Sequence, residues 1–280
     1  MIVFKTIQDL QAFLAKSRLK NQKIAFVPTM GALHAGHISL ITAARKNDTL
    51  VVSSIFVNPT QFNDPSDFEK YPKTIEIDIL TLEENGCDVL FLPTVKEMYP
   101  TGTKNTRKYL LGNLETILEG KFREGHFQGV CQVVHRLLEI VEPDQLLLGQ
   151  KDYQQVMIIK KLINLLGMTI SVTIGETVRE TSGLAMSSRN IRLNESNRLK
   201  ASAIYASLLK IKKDILSGPV QLYKEKAMND LIALGFKIDY IEIANVDTLE
   251  IISHWDGKTK LVVVAAVFLQ EVRLIDNILI

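Results

Sequence analysis

The chain has 280 residues, 46% of them hydrophobic, and its 33 basic and 31 acidic side chains leave a formal net charge of +2. That apolar content suffices for a sizeable core in one large or two moderate domains, and it excludes a disordered chain. The near-balance of charge excludes a global field that recruits nucleic acid or an acidic membrane, so any phosphate chemistry has to be local.

Residues 1–19 carry charges and a helical pattern after a Thr6 cap, in place of a signal peptide's unbroken apolar core. No stretch reaches the roughly 18 apolar residues of a membrane span, and a cytoplasmic protein is expected. Residues 23–27 read as a strand, and a helix is expected from near His37, with Ile38, Leu40, Ile41 and Ala44 at about 3.6-residue spacing. Further on, 50–57, 88–92, 145–148 and 169–174 read as strands, while 71–85, 129–141 and 152–166 read as helices, the last opening on an Asp152 cap. Continuous apolar strands separated by helices predict a parallel sheet covered on both faces, an α/β, doubly wound arrangement. After about residue 176 the texture changes: long helices at 195–216 and 220–234 precede strands at 238–244, 261–267 and 272–275. The expectation is a Rossmann-like domain over 1–176 and a smaller α+β C-terminal domain over 177–280. Cys87 and Cys131 fall in apolar neighbourhoods without metal-ligand spacing and read as buried free thiols.

The run Pro28-Thr29-Met30-Gly31-Ala32-Leu33-His34-Ala35-Gly36-His37 joins a strand, a glycine turn, two histidines and a helix start. Such a turn presents unpaired amides and a positive helix end to an anion, and His34 and His37 add side-chain donors that both reach one phosphate. The plainer reading has one imidazole capping the helix and the other meeting a core hydrogen bond; strand, turn and helix in the required order favour the phosphate site. Two further segments also leave strands of the same sheet, where ligands bind in doubly wound folds. Asn58-Pro59-Thr60-Gln61 offers amide side chains to hydroxyls and carboxylates, although Asn-Pro is also an ordinary turn. Gly149-Gln150-Lys151-Asp152 offers an ammonium for a phosphate and a carboxylate for a helix cap or a ribose hydroxyl. Beyond the boundary, Met186-Ser187-Ser188-Arg189 sets two hydroxyls beside a guanidinium, a combination that binds phosphate oxygens and that also occurs in common loops. The stretch from Gly120 to Gly129, with Arg123, His126 and Phe127, fits either helix entry or substrate contact.

The segments PTMGALHAGH, FVNPTQF, YPKT, EGKFREGHFQGV, GQKDYQQ, GLAMSSRN and the closing RLIDN, in this order, resemble the pantothenate synthetase (pantoate:β-alanine ligase) family over nearly the whole chain. Within the wider nucleotidyltransferase superfamily, His34 to His37 look like the HIGH signature and Met186 to Arg189 like a variant KMSKS loop. The resemblance implies a homodimer that joins (R)-pantoate to β-alanine through a pantoyl adenylate, releasing pyrophosphate and AMP. It implies that ATP is bound by Met30, Gly31, Ala32, Leu33, His34, Ala35, Gly36, His37, Gly149, Gln150, Lys151, Asp152, Val178, Met186, Ser187, Ser188 and Arg189. Of these, His37, His34, Lys151 and Arg189 are the catalytic set, while Gln61 and Gln155 hold pantoate and β-alanine. Mg2+ is expected mainly on the ATP phosphates, with no protein metal ligand named. The labile adenylate calls for water exclusion, and 63–73 and Ser187-Ser188-Arg189 are the segments suited to closing over it. Glu124, Ala35 and Gln150 depart from the commonest family pattern; activity is expected to survive all three, with Glu124 the least comfortable beside Arg123 and His126. A sister nucleotidyltransferase leaves FVNPTQF and GQKDYQQ unexplained, a non-catalytic ATP sensor has no need of the full donor set, and a tRNA-binding role lacks a basic patch.

Overall fold

The computed structural model describes residues 1–45, 49–103 and 107–280. The chain divides into two compact units, one of Met1–Gly149 with Ile158–Glu176 and the other of Gln150–Met157 with Thr177–Ile280.

The first unit runs β1 (Ile2–Phe4), α1 (Ile7–Leu19), β2 (Ile24–Thr29), α2 (Ala35–Ala44), β3 (Leu50–Ile55), α3 (Pro65–Glu69), α4 (Ile75–Glu84), β4 (Val89–Phe91), α5 (Val95–Met98), α6 (Glu119–Phe122), α7 (His126–Val141), β5 (Gln145–Gly149), α8 (Tyr153–Leu165) and β6 (Ser171–Gly175), α8 giving its first residues to the second unit. Its six strands form one sheet in the order β1-β4-β3-β2-β5-β6, and every pairing is parallel. Ala25, Val27, Val51, Ile55 and Leu147 pack against Leu40, Ile41 and Ala44 of α2. The alternate residues Ile24 and Phe26 are equally buried, on the face that α7 covers. Both faces of β2 are therefore dry, which is why its sequence reads as a continuous apolar run. Each such side chain contributes roughly 1.5–3 kcal/mol on burial.

From β2 the chain adds β3 and β4 on one side, then crosses to add β5 and β6 on the other. The strand order reverses between β2 and β5, and the carboxyl ends at such a reversal are where open α/β sheets bind ligands.

The second unit continues with α9 (Glu195–Ala201), α10 (Ala203–Asp214), β7 (Gly218–Pro219), α11 (Gln221–Ala233), β8 (Lys237–Asn245), β9 (His254–Trp255), β10 (Leu261–Leu269) and β11 (Val272–Leu279). Antiparallel β8-β10-β11 form a sheet whose core shares Ile204, Leu208 and Ile211 of α10 and Ala227 and Leu231 of α11. The architecture is the expected α/β sheet followed by a smaller α+β unit.

Several boundaries move for local reasons. The helix expected over 71–85 begins only at Ile75, because Pro72 keeps the residue before it out of helical geometry. The single helix expected over 195–216 breaks at Ser202, whose hydroxyl donates to the Leu199 carbonyl at 2.6 Å and whose backbone N–H takes the same carbonyl at 3.2 Å. The helix expected to open on an Asp152 cap instead follows a 3-10 turn, Gln150–Asp152. The short edge strand β1 has no counterpart in the sequence reading, three residues being too few for a visible period. Both cysteines are free and buried, and burial pushes each thiol up to about 12.

Helix α7 opens three residues before the expected Gly129, and Gly129 lies inside it. A Cβ at Gly129 would sit 2.2 Å from the Thr60 carbonyl oxygen and 2.9 Å from the Gln61 Cα. Gly129→Ala is therefore expected to destabilise the protein: the helix gains about 1 kcal/mol of propensity, but forced overpacking costs about 1–3 kcal/mol and the Thr60-Gln61 turn has to shift. A chemical-denaturation midpoint at or above that of the parent would contradict this packing.

Candidate functional site

The turn between β2 and α2 is built from a left-handed pair, Gly31 at φ +79 and Ala32 at φ +50. A non-glycine residue in this region costs about 1–2 kcal/mol, and the fold supplies a compensating partner. Asp78 of α4, 2% exposed, accepts from the Ala32 amide at 2.9 Å and the Leu33 amide at 2.8 Å, with the Thr74 hydroxyl at 3.1 Å. Gly31 is required here twice, since a Cβ would also stand 3.0 Å from the Asp78 carboxylate and 3.1 Å from Ile55. Its amide donates to the Thr29 hydroxyl at 3.2 Å.

The two imidazoles finish the turn by capping the helix reciprocally. His34 is the N-cap and its Nδ1 accepts from the Gly36 amide at 3.2 Å, while His37 Nδ1 accepts from the His34 amide at 3.3 Å. Their rings lie 4.1 Å apart between centroids. In the neutral ring one nitrogen donates and the other accepts, so both acceptor Nδ1 atoms place the proton on Nε2. The capping reading and the phosphate reading thus describe two nitrogens of the same rings. The sequence pattern suggested unpaired amides in this turn; those of Gly31, Ala32, Leu33, His34, Gly36 and His37 all have protein partners.

Gln61 lies in the same unit beside this turn, its Nε2 donating to the Met30 Sδ at 3.1 Å. It sits in a short 3-10 turn, Pro59–Gln61, capped by the fully buried Asn58. The Asn58 amide nitrogen donates to the Thr60 hydroxyl at 3.0 Å, the Gln61 side chain at 3.2 Å and the Gly129 carbonyl at 3.2 Å. Its oxygen accepts from the Tyr99 hydroxyl at 2.9 Å. His126 closes the arrangement with Nδ1 at 2.7 Å from the Gln61 carbonyl. The Gly120 to Gly129 stretch therefore supports the Gln61 turn from below; Arg123 pairs with Glu119 at 3.6 Å, and the exposed Glu124 accepts from the Asn63 side chain through its backbone carbonyl. The 63–73 segment packs on the residue before it, Phe68 and Tyr71 meeting the Phe62 ring edge-on at 5.3 and 5.8 Å.

Within the second unit, Val178 and Met186 face each other across a hairpin, the Met186 amide donating to the Val178 carbonyl at 3.0 Å. Gly183, at φ +93, makes the turn. Ser187 caps the 3-10 turn that follows, accepting from the Arg189 amide at 3.2 Å, so Ser187, Ser188 and Arg189 leave the hairpin as one short turn. Buried Asn190 ties that turn back to the Ala185 carbonyl at 3.1 Å and to Glu180 at 2.9 Å. Lys151, with Asp152 at 3.9 Å, sits in the turn ahead of Gln155 on α8. Gly149 closes β5 in the first unit, in register with Gly175.

Among the described residues no group of three or more His, Cys, Asp or Glu side chains is placed to hold a metal. A cavity of about 770 Å³ in the first unit, lined by Arg18, Lys23, Glu142 and Asp144 among others, opens at the amino ends of β2 and β5. Four of its charges pair with each other, Lys23 with Asp144 at 2.7 Å and Arg18 with Glu142 at 3.5 Å, and it is remote from the carboxyl-end turns.

Asp78 and Tyr99 are supports that sequence reasoning missed, while Asn58 and His126, which it singled out for possible substrate contact, bond to the Gln61 turn. A carboxylate in the first turn of a helix reads as a solvated dipole partner, and only its burial marks Asp78 as different. Asp78→Ala is expected to lower stability by about 1–3 kcal/mol, the cost of stranding a buried donor, and Asp78→Asn, which keeps one acceptor, by less. Urea midpoints for both variants unchanged from the parent would show that the turn does not lean on this carboxylate.

The family model described as pantoate-beta-alanine ligase matches residues 2–279. The chain is 45% identical to pantothenate synthetase of Cytophaga hutchinsonii, with 100% of this chain and 99% of the relative covered, and 43% identical to that of Bacteroides thetaiotaomicron, with 99% and 98% covered. Among solved structures it is similar to pantothenate synthetase from Thermus thermophilus, with a TM-score of 0.89 at 38% identity over 99% of both chains. It is also similar to pantoate-beta-alanine ligase from Francisella tularensis complexed with beta-gamma ATP and beta-alanine, with a TM-score of 0.85 at 40% identity over 100% of this chain and 97% of that one. With the reversal of strand order, the capped imidazole pair and full-length similarity in agreement, this chain belongs to the pantoate-beta-alanine ligase family.

Proposed function

We propose that this chain condenses (R)-pantoate with β-alanine at the expense of ATP, through a pantoyl adenylate. The observation that carries the reading is the imidazole pair at the carboxyl end of β2, with both Nδ1 atoms committed to backbone amides and the ring protons thereby set on Nε2. The relative from Francisella tularensis, solved with beta-gamma ATP and beta-alanine, supports the substrate class.

ATP is assigned to Met30–His37, Gly149–Asp152, Val178 and Met186–Arg189, and the two carboxylate-bearing and amine-bearing substrates to Gln61 and Gln155. In the first step a pantoate carboxylate oxygen attacks the α-phosphorus and pyrophosphate leaves. Charge grows on the phosphate oxygens, so the catalysis asked of the protein is fixed donors and cations, supplied by His34, His37, Lys151, Ser187, Ser188 and Arg189. Gln61 presents an amide beside Met30, and its own orientation is set by Asn58 and His126. In the second step the β-alanine amine attacks the acyl carbon and AMP departs, which requires the amine to be held near attack geometry and water kept out.

The donor set fits a metal carried on the phosphates. Its single carboxylate, Asp152, already lies 3.9 Å from the Lys151 ammonium, and the remaining groups are cations and neutral donors. A Mg2+ brought in with ATP would supply positive charge beside the phosphates without needing a carboxylate of this set to hold it. No helix among the described residues is long and apolar enough to cross a membrane. The family resemblance is what supports reading the protein as a cytoplasmic homodimer.

Incubation with ATP, Mg2+ and pantoate should release pyrophosphate, with AMP and amide appearing only when β-alanine is added. Pyrophosphate release driven instead by an unrelated phosphorylated alcohol would overturn the assignment. His37→Ala is expected to lose about 2.7–4 kcal/mol of transition-state stabilisation, a factor of about 100 to 1000 in kcat, as for one preorganised donor; near-normal turnover would remove it from the mechanism. Sedimentation equilibrium should return twice the chain mass of 31.5 kDa, and a single-chain mass at micromolar protein would refute the dimer.

A further inference from the structure

The closing Arg273-Leu274-Ile275-Asp276-Asn277 motif has no part in the chemistry above, yet it places two polar side chains in a core strand. Val272, Leu274 and Ile278 of β11 belong to the apolar cluster of the second unit, while Asp276 and Asn277 are 4% and 2% exposed. Buried polar groups are costly unless fully paired, and here the partners are informative.

Asn277 Nδ2 donates to the Gln150 carbonyl at 3.0 Å and the Lys151 carbonyl at 2.9 Å, while its Oδ1 accepts from the Gln150 side chain at 3.1 Å. All three bonds go to one turn, the one that carries Lys151. Asp276 receives Arg179 through two bonds, NH1 to Oδ2 at 2.6 Å and NH2 to Oδ1 at 3.0 Å. Arg179 also donates to the Gly183 carbonyl at 3.2 Å and lies over the Tyr205 ring at 3.5 Å from its centroid. It follows Val178 directly and pairs in an antiparallel bridge with Ala185, the residue before Met186. Successive residues on a strand project to opposite faces, so adjacent positions of β11 reach two different segments. The Asn277 amide donates to Asp276 Oδ1 at 2.8 Å and its carbonyl accepts from Arg179 at 3.3 Å, which couples the two sets of bonds.

We propose that Asp276 and Asn277 are a pair of positioning residues for nucleotide binding, Asn277 fixing the Lys151 turn and Asp276, through Arg179, fixing the Val178-Met186 hairpin. This rests on the assignment of Lys151 and of Val178 and Met186 to ATP. An apolar strand at these positions would pack the core equally well, and the alternative role for the pair is general support of the sheet.

The test uses the full chain and measures the dissociation constant of ATP with Mg2+ by calorimetry, together with KM for each substrate. The variants are Asn277→Ala, the near-isosteric Asn277→Asp, Asp276→Asn, Lys151→Ala and the double variant Asn277→Ala with Lys151→Ala. Asn277→Ala, which removes all three bonds to the lysine turn, should bind ATP about tenfold more weakly, with KM for β-alanine changed less than about twofold. Asn277→Asp should be at least as weak, since a carboxylate there faces two carbonyl oxygens. Asp276→Asn, which removes the charge opposite Arg179, should likewise weaken ATP. Because Asn277 acts through the lysine turn, the double variant should be little weaker than Lys151→Ala alone. Strict additivity, an equal rise in all three KM values, or loss of folding in both Asn277 variants would each overturn the proposal in favour of plain structural support. Unchanged ATP affinity in Lys151→Ala would instead sink the assignment of that lysine to ATP, and the proposed role of Asn277 with it. A weakened Lys151→Ala beside an unaffected Asn277→Ala would sink the positioning role alone.

Discussion

Backbone donors turned away from solvent have to be paired inside the protein, and the turn after β2 is shaped by how that demand is met. Its left-handed residues, Gly31 and Ala32, aim consecutive amides inward, where the Asp78 carboxylate takes those of Ala32 and Leu33. With those two donors satisfied, the chain enters α2 in one conformation, and the remaining amides fall to His34 and His37. Each imidazole thereby commits Nδ1 to a backbone amide of the turn. The same hydrogen bonds that begin the helix fix the tautomer, so a conformational requirement and a chemical one are met by one set of contacts.

The same economy recurs around Gln61. Asn58 is fully buried and ties together the Thr60 hydroxyl, the Gln61 side chain, the Gly129 carbonyl and the Tyr99 hydroxyl. A buried amide left half-paired costs more than an apolar side chain in its place, so such a network holds one arrangement tightly. Gly129 permits it by letting α7 approach the backbone of that turn closer than any Cβ allows. In the second unit, Asn190 and Glu180 hold the Met186 to Arg189 segment by similar means, with Arg198 bonding Glu180 at 2.8 and 2.9 Å. The hydrogen bond from the Arg198 guanidinium, and after it that from the neutral Asn190 amide, holds the Glu180 carboxyl below its ordinary range. In each unit several of the residues assigned to substrate, such as Gln61, Lys151 and Met186 to Arg189, sit on or beside short turns held by buried polar side chains.

Much of this was legible in the chain itself. The strands buried on both faces announce themselves as apolar runs, as in Ile24 to Val27, all within 1% exposure, and their alternation with helices leads to the parallel sheet without further information. Chemically unusual combinations, the histidine pair, Lys151 beside Asp152 and the Ser-Ser-Arg turn, also stand out by residue type, and family resemblance assigned them roles. Boundaries were less visible where one side chain decides them, as with Ser202, whose hydroxyl competes for a helical carbonyl.

What the sequence by itself determined is the fold class, which follows from local pattern, and it singled out candidate side chains by functional groups that few other residues carry. What only the tertiary structure decided is which ordinary residues hold them. Asp78 is one of several acidic residues in its helix, and nothing within that helix shows that it bonds to Ala32 and Leu33, 46 and 45 positions away. Asn277 reaches Gln150 and Lys151 over 127 and 126 positions. Hydrogen bonds between segments so distant are set by the path of the backbone through the sheet, and periodicity, which reports only on neighbours along the chain, carries no trace of them.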